Sequence, residues 1–281
     1  MSDLFPPFAP EPVESKRARF KAIPFRLIAP NVITLLALCL GLTAMRLVVE
    51  GKLDTATYCI LAAALLDGVD GRLARFLKGT SRFGAELDSL SDFVNFGVAT
   101  GYVLWIFVLH DLRSFGWIIA LTLACAMALR LARFNVMLDD PNRPDWQKNF
   151  FVGMPAPAGA VTAMLPLYLH FIGLPVQEYG AVFVGAYILF IAFLTISRIP
   201  CYAGKTLGTR VPREMVLPIF VAVVVLAGLV VAYPFEMLSL IVVSYLALIP
   251  VSAARYRKLD REYNEARAVP APVDEKAEAA P

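Results

Sequence analysis

Long apolar stretches recur along the whole chain and are separated by short polar segments. Eight of them approach the roughly 20 residues that a transmembrane helix needs. The predicted spans are 28–49, 54–76, 85–109, 115–136, 154–173, 179–197, 214–232 and 235–254. Backbone polar groups in lipid must be satisfied internally, and the short alternating segments of a β-barrel are absent. We therefore predict an all-α, polytopic membrane helical bundle of about eight transmembrane helices.

The second predicted span differs from the others because only its first half is apolar. The run from Ala56 to Leu66 continues as DGVDGRLARF, which no lipid-facing helix would carry. This half must face other helices or a water-filled cavity. Because ionisable groups at membrane depth are costly, they are candidates for a functional site.

Composition and charge support the membrane assignment and orient it. Hydrophobic residues make up 58% of the chain and charged residues 17%, whereas soluble domains carry about a quarter charged residues. With eight spans, all basic residues except Arg46, Lys52 and Arg113 fall on the side that holds both termini. Basic loops face the cytoplasm, so both termini are predicted to be cytoplasmic. The basic residues form no continuous stripe, which argues against a nucleic-acid partner.

The two ends of the chain differ from the region between them. Residues 1–26 are polar and proline-rich and contain no signal-peptide core, so we expect a flexible cytoplasmic arm. Residues 27–261 hold the spans and form one transmembrane domain. Residues 262–281 are polar and rich in Ala and Pro, which is typical of a disordered tail. We expect an integral protein of the bacterial inner (cell) membrane, with its active site facing the cytoplasm.

Two pairs of aspartates flank the loop between the second and third spans. Asp67 and Asp70 are three residues apart, and Asp88 and Asp92 are four apart. Both spacings place the two carboxylates of a pair on one helix face. Since a short loop joins the helices, both pairs lie near the cytoplasmic end and can converge.

Four converging carboxylates repel one another unless a cation compensates them. Oxygen ligands without Cys or His select a hard ion such as Mg²⁺, Mn²⁺ or Ca²⁺. A pair of metal ions can stabilise both the attacking and the leaving oxygen in phosphoryl-type transfer. Gly68 and Gly71, beside the first pair, would let a phosphate approach the backbone, although they could equally serve helix packing.

The same segment resembles a known family. Asp67 to Asp92 fits the CDP-alcohol phosphotransferase signature, D-x2-D-G-x2-A-R-x8-G-x3-D-x3-D, at every fixed position. Four further segments resemble the phosphatidylserine synthase branch of that family. They are Pro30-Asn31-x-x-Thr34, GTSRFGAELDSLSDFVNFGVA (79–99), ALRLARFNV (128–136) and GMPAPAGA (153–160).

The resemblance implies a function and roles for individual residues. Asp67, Asp70, Asp88 and Asp92 would bind two divalent ions, Mg²⁺ or Mn²⁺, and Asp92 would also act as general base. The residues implied to contact the cytidine diphosphate head of CDP-diacylglycerol are Asn31, Thr34, Gly71, Arg75 and Ser81. The hydroxyl of L-serine would attack the phosphate that bears the diacylglycerol, and CMP would leave. The family also implies a homodimer surrounded by membrane lipid.

The acceptor alcohol is the least determined part of this interpretation. Arg130 and Arg133 share a helix face at the end of the fourth span and could bind an acceptor carboxylate or phosphate. They could equally be cytoplasmic anchors of that span. The metal site does not distinguish acceptors, and Arg130, Arg133 and Arg210 could supply the basic cluster that a phosphorylated acceptor needs. Glycerol 3-phosphate, an inositol phosphate or choline are therefore alternative acceptors. An ion transporter is a more distant alternative, because it would need ionisable residues at mid-membrane or on both sides.

Overall fold

A computed structural model describes residues 25–77, 81–138, 150–178, 180–202 and 213–268. Residues 1–24 of the predicted arm 1–26, and the last 13 residues, 269–281, lie outside the described residues. The helices in chain order are α1 (Phe25–Val49), α2 (Leu53–Phe76), α3 (Arg82–Asp92), α4 (Thr100–Phe107), α5 (Ser114–Leu138), α6 (Ala156–Ala163), α7 (Leu165–Phe171), α8 (Ala181–Ile196), α9 (Arg213–Ala232) and α10 (Pro234–Ala268).

The predicted helical class is confirmed, and each predicted span coincides with a helix or an interrupted helix. Within the described ranges, five helices are long and apolar enough to cross a membrane. They are Ile28–Val49, Arg82–Phe107, Ser114–Met137, Glu214–Ala232 and Pro234–Arg261. The other three predicted spans correspond to α2, with its charged half, to the broken pair α6–α7, and to the short α8. Length and composition thus give five spans, and the count of eight stays a prediction.

Two helices extend beyond the predicted limits. α1 begins at Phe25, so Pro30 lies inside the helix and not at its start. α10 continues to Ala268, seven residues past the boundary expected at 261. The 35 residues of α10 extend over about 50 Å at 1.5 Å per residue, well beyond a hydrocarbon core of about 30 Å.

The third span contains a widened turn that the sequence pattern does not predict. A π-helical segment, Phe93–Ala99, joins α3 to α4 without a break in the helix. The Thr100 amide donates to the Asn95 carbonyl five residues back, and the Thr100 hydroxyl donates to the same carbonyl at 3.0 Å. Because π segments are rare and often accompany functional sites, this turn draws attention to the residues around it.

The fifth span is interrupted at Met164, between α6 and α7. Pro166 lies at the start of α7 and has no amide hydrogen for the Thr162 carbonyl four residues back. The Tyr187 hydroxyl of α8 donates to that carbonyl at 2.7 Å. The break therefore leaves the Thr162 carbonyl free to accept this bond, which links α8 to α6.

A short strand pair is a small departure from the predicted all-α fold. β1 (Phe150–Val152) pairs antiparallel with β2 (Pro200–Tyr202). Gly153, with φ of 78°, follows β1, and its amide donates to Ile199 at 3.0 Å. The Ser252 hydroxyl of α10 donates to Pro200 at 2.8 Å. These bonds bring together the end of α8, the middle of α10 and the start of α6.

Candidate active site

α1 brings the two aspartate-bearing helices together. Its buried face repeats every three or four residues with small side chains: Thr34, Ala37, Gly41, Ala44 and Val48. This face packs closely along α2 and also against α3, whereas α2 and α3 make little direct contact with each other. A gap between α2 and α3 results, and the four aspartates line it.

The acidic cluster consists of Asp67 and Asp70 on α2 with Asp88 and Asp92 on α3. One carboxylate oxygen from each of Asp67, Asp70 and Asp88 lies within 4.8 Å of the others. The Asp92 carboxyl lies within hydrogen-bonding contact of Asp67. The two helices therefore bring all four predicted residues into one group, as their spacing and the short connecting loop suggested.

Asp70 is the most enclosed member of the acidic cluster. Its side chain is 3% exposed, and the Thr34 hydroxyl donates to its Oδ2 at 2.6 Å. Its Oδ1 is buried and accepts no hydrogen bond within the described part of the chain. A buried oxygen without a partner costs free energy unless another group satisfies it.

The acidic cluster fits a divalent cation. Three carboxylates with oxygen atoms this close have the oxygen-only donor set that Mg²⁺ and Mn²⁺ prefer. The Oδ1 of Asp70 supplies a ligand atom to which no group of the described residues donates a hydrogen bond. The gap between α2 and α3 leaves room between the carboxylates, which direct helix packing would have closed.

Arg130 of α5 compensates part of the cluster's charge. Its side chain is 7% exposed, and its guanidinium attracts the carboxylates of Asp67 and Asp92. It also lies over the Phe134 ring, 5.0 Å from the centroid. The sequence suggested Arg130 for the acceptor, and the structure places it against the acidic cluster itself.

Arg133 occupies a different position from Arg130, although both were assigned to one face. Its Nη1 donates to the Ile196 carbonyl at 2.6 Å and to the Ser197 carbonyl at 3.4 Å. These are the free carbonyls at the end of α8, where a cation also offsets the helix dipole. Arg133 therefore joins α5 to α8, and only Arg130 faces the aspartates.

Some of the residues assigned to the nucleotide lie together at the start of α3. The Ser81 hydroxyl caps this helix and accepts from the Gly84 amide at 3.0 Å. A Cβ at Gly84 would lie 2.9 Å from Asn31 Oδ1, so the Asn31 side chain of α1 rests directly on this cap. Thr34 lies one turn further along α1, against Asp70.

The other two assigned residues lie on the open side of α2. A side chain at Gly71 would meet nothing within 4 Å, and the same is true of Gly68. Arg75 is exposed, and its Nε donates to the Gly71 carbonyl at 3.0 Å. Both glycines therefore leave the backbone open beside the acidic cluster, and Arg75 brings a cation to that surface.

Three polar residues beside the site were not predicted from the sequence. Ser91 donates to the Thr34 carbonyl at 3.2 Å, and Asn95 donates to the Ser91 hydroxyl at 3.3 Å. Asn135 of α5 donates to the Ser89 hydroxyl of α3 at 2.9 Å. A signal was present, because polar residues continue beyond Asp92 on a buried helix face at Asn95. Their partners could not be read from spacing.

The sequence of this chain is similar to a known protein family. A sequence model described as CDP-alcohol phosphatidyltransferase covers residues 27–198, and one described as CDP-alcohol phosphatidyltransferase 2 covers residues 214–250. A CDP-diacylglycerol–serine O-phosphatidyltransferase of Mycobacterium leprae is 40% identical over 83% of this chain and 76% of its own length.

Further relatives carry the same name. The Mycobacterium tuberculosis (strain H37Rv) protein is 38% identical over 83% of this chain and 80% of its own length. The Helicobacter pylori (strain J99) protein is 31% identical over 77% of this chain and 87% of its own length. The first family match spans more than half of the chain and contains the whole acidic cluster. This chain therefore belongs to the CDP-alcohol phosphatidyltransferase family of transferases.

Proposed function

We propose that this protein is a CDP-diacylglycerol–serine O-phosphatidyltransferase of phospholipid biosynthesis, which forms phosphatidylserine and CMP. The observation that carries the proposal is the convergence of Asp67, Asp70 and Asp88 within 4.8 Å, in a chain whose relatives bear that name. Asp67, Asp70, Asp88 and Asp92 would hold two divalent ions, Mg²⁺ or Mn²⁺. When bound, such ions supply charge stabilisation for the diphosphate and for the departing CMP.

The protein residues bind, orient and accept a proton. The Asp92 carboxylate accepts the proton of the serine hydroxyl, which is too weak a nucleophile without a base. The hydroxyl oxygen forms a bond to the phosphorus that carries diacylglycerol. The bond from that phosphorus to the CMP oxygen breaks, and CMP leaves with the electron pair.

The lipid donor would lie along the open face of α2. Gly68 and Gly71 let the diphosphate approach the helix backbone, and Arg75 offers it a cation. Asn31 and Ser81, which both lie beside Gly84 at the start of α3, would meet the cytidine. Thr34 would contribute beside Asp70. The acyl chains stay in the bilayer throughout.

Among the residues that the structure describes, which exclude Arg210, the placement of Arg130 and Arg133 favours serine over a phosphorylated acceptor. A phosphate group would need additional basic side chains near the acidic cluster. Arg133 is committed to the carbonyls of Ile196 and Ser197, and Arg130 faces Asp67 and Asp92. Arg130 remains able to attract the serine carboxylate from its position beside the cluster.

The proposal includes a membrane arrangement. Eight spans place both termini and the acidic cluster at the cytoplasmic side of a bacterial inner membrane. Serine then arrives from the cytoplasm and the donor from the bilayer. Support comes from the basic loops on the side of the aspartates and from the apolar helices. A homodimer is the expected assembly.

The experiment is an acceptor panel with purified protein. CDP-diacylglycerol and Mn²⁺ are combined separately with L-serine, glycerol 3-phosphate, inositol phosphate and choline, and CMP release is followed. Of the four acceptors, we expect only serine to cause CMP release. Release with glycerol 3-phosphate but not serine would overturn the serine assignment. No release with any alcohol would overturn the enzymatic proposal.

A matched pair of variants ties the reaction to the acidic cluster. Asp88→Asn removes a ligand of the cluster and should abolish CMP release. Asp54→Asn changes an exposed aspartate in the first turn of α2 and should leave release unchanged. Equal activity of the two variants would separate the reaction from the cluster.

A further inference from the structure

We propose that Ser91, Asn95 and Gly41 form a positioning network that holds Thr34 against Asp70 and so presents the free Asp70 oxygen to a metal ion. The inference rests on the metal site of the proposed function. It gives a positioning role to residues that would touch neither substrate nor metal. It also gives the π-helical segment a role.

The hydrogen bonds of the positioning network run in one direction through the bundle. Asn95 Nδ2 donates to Ser91 Oγ at 3.3 Å, and Ser91 Oγ donates to the Thr34 carbonyl at 3.2 Å. Thr34 Oγ1 donates to Asp70 Oδ2 at 2.6 Å. All four side chains are buried, so water does not compete for these bonds. The network links the third span to α2 through α1.

The direction of the Thr34 hydroxyl depends on where its backbone is held. The hydroxyl has one proton, and the Pro30 carbonyl lies 3.2 Å away as a second acceptor. The bond from Ser91 fixes the Thr34 backbone, and the 2.6 Å contact to Asp70 is then the shorter one. With Oδ2 occupied by Thr34, Oδ1 is the one of the two Asp70 oxygens that has no hydrogen-bond partner in the described structure.

The π-helical segment begins directly after Asp92 and sets the position of Asn95. Both the amide and the hydroxyl of Thr100 bind the Asn95 carbonyl, which stabilises the wider turn. A wider turn changes the direction of every side chain beyond it relative to an α-helix. The Asn95 amide group thereby meets both Ser91 and α1 from one buried position.

Gly41 supplies the space that Asn95 needs. It lies seven residues after Thr34, which is two turns along the same face of α1. A Cβ at Gly41 would overlap Asn95 Oδ1, so even alanine requires Asn95 or α1 to move. Such a shift disturbs the bond from Asn95 to Ser91 and, two turns along α1, the approach of Ser91 to the Thr34 carbonyl.

The test is Mn²⁺ binding to purified protein without substrate, followed by electron paramagnetic resonance. Ser91→Ala removes one oxygen and Gly41→Ala adds one methyl group. Each should raise the Kd for Mn²⁺ about three- to ten-fold, as expected for the loss of one buried hydrogen bond. Controls are Thr43→Ala, an exposed hydroxyl of α1, and Gly228→Ala in α9, where an added Cβ meets nothing within 4 Å.

A change in stability alone would not produce this pattern. Thermal unfolding of each variant is measured, and Ser91→Thr, which keeps the hydroxyl, should recover the wild-type Kd. An unchanged Kd in Ser91→Ala, or equal weakening in the controls, would overturn the inference. Wild-type protein that binds no Mn²⁺ would overturn both it and the proposed metal site. Weakened Mn²⁺ binding in a protein inactive toward serine would support the network and refute only the serine assignment.

Discussion

The third span and α9 both have the length to cross a bilayer, but they are built in opposite ways. The third span, Arg82–Phe107, is the least apolar of the five spans, and 61% of its 18-residue apolar core is buried inside the protein. The α9 span, Glu214–Ala232, is the most apolar, and none of its 18-residue apolar core is buried. In this protein, therefore, strong apolarity marks contact with lipid, and polar residues mark the interior.

α2 takes the same rule further. It carries Asp67 and Asp70 and packs along α1, yet its hydropathy leaves it outside the five apolar spans. Ionisable side chains are tolerated at this depth when they face one another across a protein-lined gap. The helix that hydropathy detects least readily is thus one of the two that carry the acidic cluster.

Metal removal should produce the largest difference between the interior and the lipid-facing helices. Chelation with EDTA should reduce CMP release to background, and added Mn²⁺ or Mg²⁺ should restore it, because the carboxylates repel one another without a cation. EDTA saturated with Mg²⁺ is the control. Full activity in EDTA would show that the acidic cluster works without metal.

Substitution of the proposed base should have nearly as large an effect. Asp92→Asn should lower kcat by about 10²- to 10⁴-fold, the usual contribution of a general base. Steady-state assay of CMP release measures this loss, and circular dichroism checks that the helices persist. Activity near that of the wild type would exclude Asp92 as the base.

Arg130 and Arg133 offer a sharper test within the interior itself. Arg130→Gln leaves Asp67 and Asp92 without the positive charge beside them, so we expect kcat/KM to fall about 10- to 100-fold, as for the removal of a nearby opposite charge. Arg133→Gln removes the link to α8 and should lower the thermal midpoint while affecting kcat/KM less. Identical kinetic losses in the two variants would contradict the separate roles.

The smallest effect is expected on α9. Val223 is 57% exposed, so Val223→Leu exchanges one lipid-facing side chain for another and should change CMP release less than two-fold. Val223→Asp should impair membrane insertion, since a centred aspartate costs about 3 kcal/mol. Insertion is measured by the fraction of protein recovered in membranes. A large kinetic loss in Val223→Leu would mean that α9 contacts the site.

The sequence predicted the helices and the acidic cluster because both follow from local periodicity. Asp67 with Asp70, and Asp88 with Asp92, share helix faces by spacing alone. The electrostatic attraction between Arg130 and Asp67 depends on how α5 packs, and no spacing encodes it. The roles of the aspartates came from a family resemblance, and they remain predictions.

Departures from regular helix could not be predicted from the periodicity of the sequence either. The π-helical segment at Phe93–Ala99 depends on the hydrogen bond from the Thr100 amide to the Asn95 carbonyl, five residues back, and on the fit of Asn95 against Gly41. The break at Met164 has a local cause in Pro166, but its use by Tyr187 depends on tertiary packing. The two three-residue strands are too short to give an alternating pattern.

The most direct test of the central claim follows the serine oxygen. L-Serine carrying ¹⁸O in its hydroxyl group is incubated with purified protein, CDP-diacylglycerol and Mn²⁺, and the lipid product is analysed by mass spectrometry. We predict phosphatidylserine that retains the label in its phosphodiester, formed in equal amount with CMP. Release of CMP without labelled phosphatidylserine would contradict the proposed transfer.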